Sequence, residues 1–530
     1  MSRRARFGGI ILGLAIILAP VAAISAPPAT TRKPVANQKP AEAQEPPNVK
    51  IPEEVQAPAD TQSRPEVPGK SAGPVLTFDQ LKIMALQFSP DVKASRSEVK
   101  LAKEQKKEVH GYRWPQFDAT AMTGVVPNAR LPIIPSGDQP RRMYYPDSKS
   151  STRGINIFGR MDFTVVQPLY TFGKIAYREE ATERNIKVKE EAVVAKQGEI
   201  IVLVAKAYYG LILANQGKDT VKEARTYLKD TGERINRLMA AGSVNVKETD
   251  KYRLAAYEGA VDKAGAEAEE GAKTAYTALK ALTNYPANQD FQVATDLPSP
   301  AAPGPLGSYV STALEMRPEF RQLKEGLVAR QLLVDAAKAD RLPSFFFAVI
   351  GQLAGAPGRQ HLPDPYILDY FNDNFAFPFV GAKWHFDFGI LNAKVRQAQA
   401  ELEQLKHQQR LALMGIPIQV AKDYGEVQTK YKGSIGLEKA YINARRWLVT
   451  TFSNFDMGLG KMDDIFLAFE RYGVFRGDYL QTLYDYNISK AELDKDTGGF
   501  RQKLPEELKK AEQAKEKNGG VKPASMTTAK

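Results

Sequence analysis

The sequence predicts a mainly α-helical protomer, duplicated in tandem, in which long antiparallel helical hairpins are joined to membrane-type β-strands. Three observations carry this prediction: landmarks recur at constant offsets, proline is absent over long stretches, and alternating segments end each time in the same kind of turn.

The duplication comes first. A-L-Q-F-S-P-D-V-K from Ala85 matches A-L-E-M-R-P-E-F-R from Ala313. Pro90 to Pro318 and Pro115 to Pro343 are steps of 228, whereas Phe172-Gly173 to Phe388-Gly389, Val204 to Val420 and Gly242 to Gly458 are steps of 216. Offsets held constant over such distances mark a repeat. Their change places a 12-residue length difference between Pro115 and Phe172.

Each repeat reads as helix, strand, loop, strand and helical hairpin. The first helix opens at Thr77, where Thr77 and Gln80 fit a capping box, and is expected to continue past Pro90 to about Trp114; its counterpart spans Gly307 to Leu342. Strands follow. From Ile155 to Val165 the odd positions are mostly apolar (Ile155, Ile157, Met161, Phe163, Val165), while the even ones include Asn156, Arg160, Asp162 and Thr164. From Val380 to Phe386, Val380, Ala382, Trp384 and Phe386 alternate with Gly381, Lys383 and His385. Period two with one polar face suits a strand between unlike media. Alternation alone leaves a soluble sandwich open, and S-F-F-F-A-V-I from Ser344 is apolar on both faces.

The hairpins are longer than a globular enzyme needs. No proline interrupts the chain between Pro168 and Pro286. A continuous helix from Gly173 to Gly242 would be about 100 Å long at ~1.5 Å per residue. Ile201, Val204, Tyr208, Leu211 and Asn215 step by three and four, the seam spacing of coiled-coil packing. After A-A-G-S-V-N a second helix returns from about Lys247 to Ala281. Pro417 stands where the first repeat has Ile201, removes a backbone donor and is expected to kink the second long helix. A soluble coiled-coil spacer stays open, since periodicity carries no information on location.

Composition excludes several chemistries. The chain has no cysteine, so disulfides, thiolate metal sites, a cysteine nucleophile and a lipid anchor on cysteine are ruled out. His110, His361, His385 and His407 show no ligand spacing, so no metal or other cofactor is expected and no enzymatic constellation emerges. Arg3, Arg4 and Arg6 precede an apolar run from Phe7 to Leu18 and the small residues of A-A-I-S-A, the form of a secretory signal. Cleavage after Ser25 is preferred, with cleavage after Ala23 or an uncleaved anchor as alternatives. Export argues that the net charge of +12 reflects solvated helix faces and no nucleic-acid partner. The expected divisions are 1–25 signal peptide, 26–75 disordered Pro-rich linker, 76–287 first repeat, 288–305 inter-repeat linker, 306–497 second repeat and 498–530 mobile tail.

Four strands per chain cannot close a barrel, and an open edge is costly in lipid. Either the sheet is outside a membrane or several chains share one barrel. Here the sequence resembles the TolC-like outer membrane efflux proteins of Gram-negative bacteria, over Leu76 to Leu493. The resemblance rests on L-T-F-D-Q-L-K-I-M-A-L-Q-F-S-P-D-V, A-L-E-M-R-P-E-F-R, Q-P-L-Y-T-F-G-K, W-H-F-D-F-G, R-L-M-A-A-G and N-F-D-M-G-L-G-K-M-D-D-I-F, in that duplicated order. It implies a homotrimer with a 12-stranded barrel, four strands per chain, in outer membrane lipid, and a periplasmic helical barrel. It implies passive export in a tripartite efflux or type I secretion system, with a periplasmic adaptor and an inner-membrane pump as partners. The alternative is a periplasmic coiled-coil scaffold or adaptor without a barrel.

The resemblance also points to site residues. Acidic residues a few positions after the second hairpin glycine suggest a pore constriction at Asp464, with Asp463 second. Adaptor docking is expected at Arg237, Leu238 and Gly242 in the first turn and at Asn454, Gly458 and Lys461 in the second. Pro168, Gly173, Asp387 and Gly389 are expected to be structural, at the strand-helix junctions. Tyr112, Trp114, Tyr170, Phe172 and Trp384 are candidates for an interfacial girdle, with buried core as the alternative.

Overall fold

The computed structural model describes residues 73–128, 133–134, 141–142, 154–243, 246–360 and 369–502. The signal peptide, nearly all of the Pro-rich linker, the tip of the first strand loop, His361 and the tail beyond Gln502 lie outside them. All described residues belong to one compact unit.

The chain runs α1 (Phe78–Phe88), α2 (Pro90–Gly111), β1 (Gln116–Pro127), β2 (Ile133–Ile134), β3 (Arg141–Arg142), β4 (Ile155–Tyr170), α3 (Lys174–Ala240) and α4 (Glu248–Thr283). It then repeats as α5 (Leu306–Met316), α6 (Pro318–Ala339), β5 (Ser344–Gly355), β6 (Phe375–Lys383), α7 (Ile390–Asp456) and α8 (Met462–Thr497). The copies agree residue for residue in length: α3 and α7 have 67 residues each, α4 and α8 have 36. The offset between repeats steps from 228 for the first two helices and the first strand to 216 for the long helices. It becomes 214 for the returning ones, since α4 starts at 248 and α8 at 462. This last two-residue step, at the hairpin turn, is invisible in landmarks that stop at Gly242 and Gly458.

The single helix expected from Thr77 to Trp114 is two helices. Ser89, with ψ 124°, ends α1 and caps α2 through its hydroxyl, which accepts from the Val92 N–H at 3.5 Å. A residue before proline is pushed out of the α region, and proline is at home in the first helical turn. Arg317-Pro318 divides α5 from α6 in the same way. The Thr77 capping box forms: Thr77 Oγ1 accepts from the Gln80 N–H at 3.4 Å and Gln80 Oε1 from the Thr77 N–H at 2.9 Å. Pro417 does not end its helix, and α7 runs unbroken through it.

The long helices hold a string of apolar clusters. The largest joins Ile200, Ile201, Val204, Tyr208, Leu211 and Ile212 of α3 to Leu81 and Leu86 of α1, Ala272 and Leu279 of α4, and Phe291 and Leu297 of the inter-repeat segment. The predicted seam is thus a core. It accounts for the apolar stretch that makes α3 long and hydrophobic enough to cross a membrane on composition. The segments between and beyond the repeats are tied down where described. Pro74–Leu76 pair with Gln292, and Phe500 and Arg501 dock on the body, Arg501 Nη2 lying 3.0 Å from Glu191 Oε1.

The sheet is antiparallel in the order β1-β4-β5-β6, so among the described residues β1 and β6 are bare edges. Its register sorts the side chains. One face carries Phe117, Val125, Ile157, Met161, Phe163, Phe347, Leu353 and Val380; the other carries Asp118, Thr120, Asn156, Arg160, Asp162, Gln352 and Lys383. Both faces are open within one chain: Val125 is 72% and Val380 68% exposed on the first, and Phe377 59% on the second. The strand expected to reach Phe386 ends at Lys383, and Trp384 instead donates its indole N–H to the Arg341 carbonyl at 2.8 Å. Three glycines lie opposite phenylalanines: Gly124 with Phe158, Gly351 with Phe163 and Gly381 with Phe346. Each ring covers its glycine so closely that a Cβ there would meet it at 2.9 Å or less.

Candidate functional site

The two hairpin turns are built alike. After α3, Gly242 takes φ +71°, its N–H reaches the Met239 carbonyl at 3.1 Å, and the Ser243 N–H reaches the Leu238 carbonyl at 3.0 Å. After α7, Gly458 takes φ +79°, its N–H reaches the Phe455 carbonyl at 2.9 Å, and the Leu459 N–H reaches the Asn454 carbonyl at 2.9 Å. This is the Schellman end of a helix, where glycine alone avoids a Cβ penalty. Leu238, Gly242, Asn454 and Gly458 are therefore brought together as caps. The Leu238 side chain packs into the turn's own core with Ile235, Phe455, Met462 and Phe466. Arg237, Asn454, Gly458 and Lys461 are exposed.

The predicted carboxylates have separate tasks within the chain. Asp464 is at the third position of α8, and its Oδ2 accepts from the Lys461 N–H at 3.4 Å. Asp250 does the same in the first repeat, closer at 2.8 Å from the Lys247 N–H and 5% exposed against the open Asp464. Asp463 pairs with Arg253 of α4, whose guanidinium also sits 5.1 Å above the Phe466 ring. Arg234 of α3 makes the matching pair of contacts, to Asp456 and to the Phe452 ring at 5.1 Å. These two arginines clamp the hairpins together at the tip. Sequence reasoning missed them because their partners lie more than two hundred positions away.

Higher up, the Tyr472 hydroxyl donates to Glu223 Oε1 at 3.0 Å and accepts from Arg476 Nη1 at 2.6 Å, joining α8 to α3. Burial pushes the Tyr472 phenol up, so it stays a donor. Between α7 and α8, burial and then the hydrogen bond and charge of Asp496 push Asp423 up to about 7. Gln419 Nε2 donates to Asp496 Oδ2 at 2.9 Å.

At the strand-helix junctions, β4 shifts register between Pro168 and Tyr170, and Gly173 (φ +85°) turns the chain into α3 against the Tyr177 ring. Lys174 Nζ then donates to the Leu342 carbonyl at 2.7 Å and to Ser344 Oγ at 2.8 Å, tying this junction to β5. In the second repeat Asp387 Oδ1 accepts from the Gly389 N–H at 2.8 Å and the Leu391 N–H at 3.0 Å, which starts α7. Burial raises the Asp387 carboxyl, but the backbone donors of Gly389, Leu391 and Ile390 outweigh it and hold it below the usual range. Tyr112, Trp114, Tyr170 and Trp384 are exposed beside these junctions, joined by Phe386 and by Phe388, which stands wholly in solvent; Phe172 is partly buried. Among the described residues no cluster of three or more histidine, aspartate or glutamate side chains is placed to hold a metal.

No protein-family model matches the sequence, and no curated protein matches it. Solved structures do. The CmeC outer membrane channel of Campylobacter jejuni is 17% identical, with a TM-score of 0.64 over 87% of this chain and 98% of that one. The outer membrane protein VceC of Vibrio cholerae is 17% identical, with a TM-score of 0.63 over 79% and 96%. The open-state MtrE outer membrane channel of Neisseria gonorrhoeae is 16% identical, with a TM-score of 0.62 over 79% and 88%. Such identities speak to architecture, and on that ground the chain has the TolC-like fold of the outer membrane channels.

Proposed function

We propose that this chain is the outer membrane channel of a tripartite export assembly, a passive conduit and not an enzyme. Three copies would share one 12-stranded barrel, and their long hairpins would form a periplasmic tube.

The carrying observation is an unfinished ring of contacts. Repeat one meets repeat two through β4 with β5, through α3 with α6 (Arg184 Nη1 to Glu325 Oε2 at 3.2 Å) and through α3 with α8. The duplication makes β6 the counterpart of β4, and α7 the counterpart of α3, yet neither has the equivalent neighbour on its far side. Copies arranged head to tail supply it: β6 against the next β1, α7 against the next α2 and α4. A heterologous contact that rotates into closure makes a ring, and a closed ring leaves no strand edge in lipid.

The sheet's two faces fit this reading, apolar toward lipid and polar toward a wet lumen. The exposed aromatics at the strand exits suit the inner interface. A periplasmic scaffold has no use for a sheet with one face so largely apolar. At the far end Asp464, exposed and repeated in three copies, is assigned to the constriction, where a ring of carboxylates favours cations. Asp463 contributes less, since Arg253 neutralises it. Arg237, Gly242, Asn454, Gly458 and Lys461 are the surface offered to an adaptor, and an inner-membrane pump supplies the energy.

The test is the mass of protein extracted from isolated outer membranes, corrected for bound detergent. Three times the chain mass supports the shared barrel. A monomer in the periplasmic fraction overturns it.

A further inference from the structure

The connection between β5 and β6 leaves the sheet at the end away from the helices. Its described ends, residues 356–360 and 369–374, lie back on the sheet. Gln352, 3% exposed, donates to the carbonyls of Tyr370 at 3.4 Å and Asp373 at 3.1 Å. Asn374 Oδ1 accepts from the Ala354 N–H at 2.8 Å. Arg160 Nη1 reaches the Tyr370 carbonyl at 3.5 Å with its guanidinium 5.3 Å above the Tyr370 ring, and Phe371 meets Phe158 edge-on at 4.9 Å.

The register settles which face is covered. Arg160 stands opposite Ala354 and Asp162 opposite Gln352, so Phe158, Arg160, Asp162 and Gln352 share the polar face. A clasp fixes the two ends to each other. Arg359 Nε donates to Asp369 Oδ2 at 2.6 Å, the carboxylate side chain being 1% exposed, and Arg359 Nη1 reaches the Pro127 carbonyl at the end of β1 at 3.1 Å. Asn372 Nδ2 donates to the Arg359 carbonyl at 2.8 Å. The segment is thus anchored on three strands, and a cavity of about 310 Å³ remains beside Tyr370, Arg160 and Gln352.

We propose that residues 369–374 form a second narrowing of the conduit, at its outer mouth, with Tyr370 in the path of the exported solute. The inference rests on the channel reading, since only there is the polar face a lumen. Its selectivity is one of size. Arg160 is paired with Asp162 and Arg359 with Asp369, so the two cations near the narrowing are neutralised. Three copies would place three Tyr370 rings around one opening, and solutes wider than that opening would need the clasp to loosen.

The absence of cysteine makes the test direct. The Tyr370→Cys protein is reconstituted in planar bilayers and treated from the outer side with a positively charged methanethiosulfonate reagent. The substituted residue is exposed, so the trimer is expected to assemble. Conductance should fall in up to three steps as the three copies are labelled, while the Leu353→Cys protein, altered on the lipid face, should conduct unchanged after labelling. Asp369→Asn, which weakens the clasp, should raise the conductance of the untreated channel. A thiol at position 370 that is modified by mass yet leaves the conductance unaltered overturns the proposal, as does one the reagent cannot reach. An unaltered protein that forms trimers in the outer membrane but no channels overturns the channel reading and this one with it.

Discussion

The helices of the two long hairpins match in length to the residue, yet they treat their apolar side chains differently. In α3 most central apolar residues are covered: α1 and α4 lie on one flank, and Lys495 of α8 and Phe500 close over Gly198 on another, leaving Leu203 half open. In α7 the equivalent core positions Ile416, Val420 and Val427 are also buried. Around them, however, Leu411, Met414 and Ile418 stand open, Ile418 at 71%, and Ile435, Ile442 and Val449 form a heptad stripe at the surface nearer the tip. Met414 is the counterpart of Gly198. The lesson is positional: α3 packs against helices of the other repeat, whereas α7 packs chiefly against α5, α6 and α8 of its own.

The comparison is broken most severely by placing a charge on each helix. Val204→Asp buries an unpaired carboxylate in a fully enclosed site, a cost of several kcal/mol, and the protein should vanish from membranes. Ile418→Asp should leave the hairpin folded and lower the extracted mass from three chains toward one. If both variants behave alike, the exposed stripe has no role between copies.

A smaller effect is expected in the sheet. Gly351→Ala drives a Cβ into the Phe163 ring and should cost about 1–3 kcal/mol, read as a lower unfolding midpoint of the trimer. Phe163→Ala in the same chain should restore part of the loss by making room.

The carboxyl pair between α7 and α8 gives a pH signature absent from the first hairpin. The folded state holds the Asp423 proton to about pH 7, whereas the unfolded chain releases it near its ordinary value of 3.8. Between these values the native state binds more protons, so stability falls as pH rises from about 4 to 7. Asp423→Asn should therefore raise the unfolding midpoint by about a few degrees at pH 7.5 and leave it nearly unchanged at pH 4. Equal shifts at both pH values would assign the effect to packing.

The smallest effects separate the two cap aspartates. Asp250→Asn should lower stability by about 1 kcal/mol or less and leave conductance alone. Asp464→Asn, whose cap is longer and open, should cost less stability but weaken the preference for cations. Unchanged selectivity in the second variant would discard Asp464 as the constriction.

Much of the fold was legible because duplication and periodicity are local or self-referential signals. The 228 and 216 offsets, the seam from Ile201 to Leu211 and the alternation of β4 all hold in three dimensions. The first helix departs from its expected single run because the Ser89-Pro90 pair ends one helix and starts the next. The site was less legible. The glycines of the hairpin turns announce themselves, but the Arg253 and Arg234 clamps and the clasp of Arg359 with Asp369 depend on which segments meet, and no spacing in the sequence records that. Even the matched helix lengths of the two repeats do not say that Asp463 has a partner.

The bare strand edges have a consequence for how the protein exists in time. On the trimeric reading β1 and β6 find hydrogen-bond partners only in other copies, so a lone chain has no membrane-inserted state to rest in. Folding of the sheet and association of the copies become one event, and the stability of the whole depends on how many chains are present. Dilution would then act on this protein as a denaturant acts on others, and supply of newly exported chains, more than any rate of folding within one chain, would set how fast barrels appear.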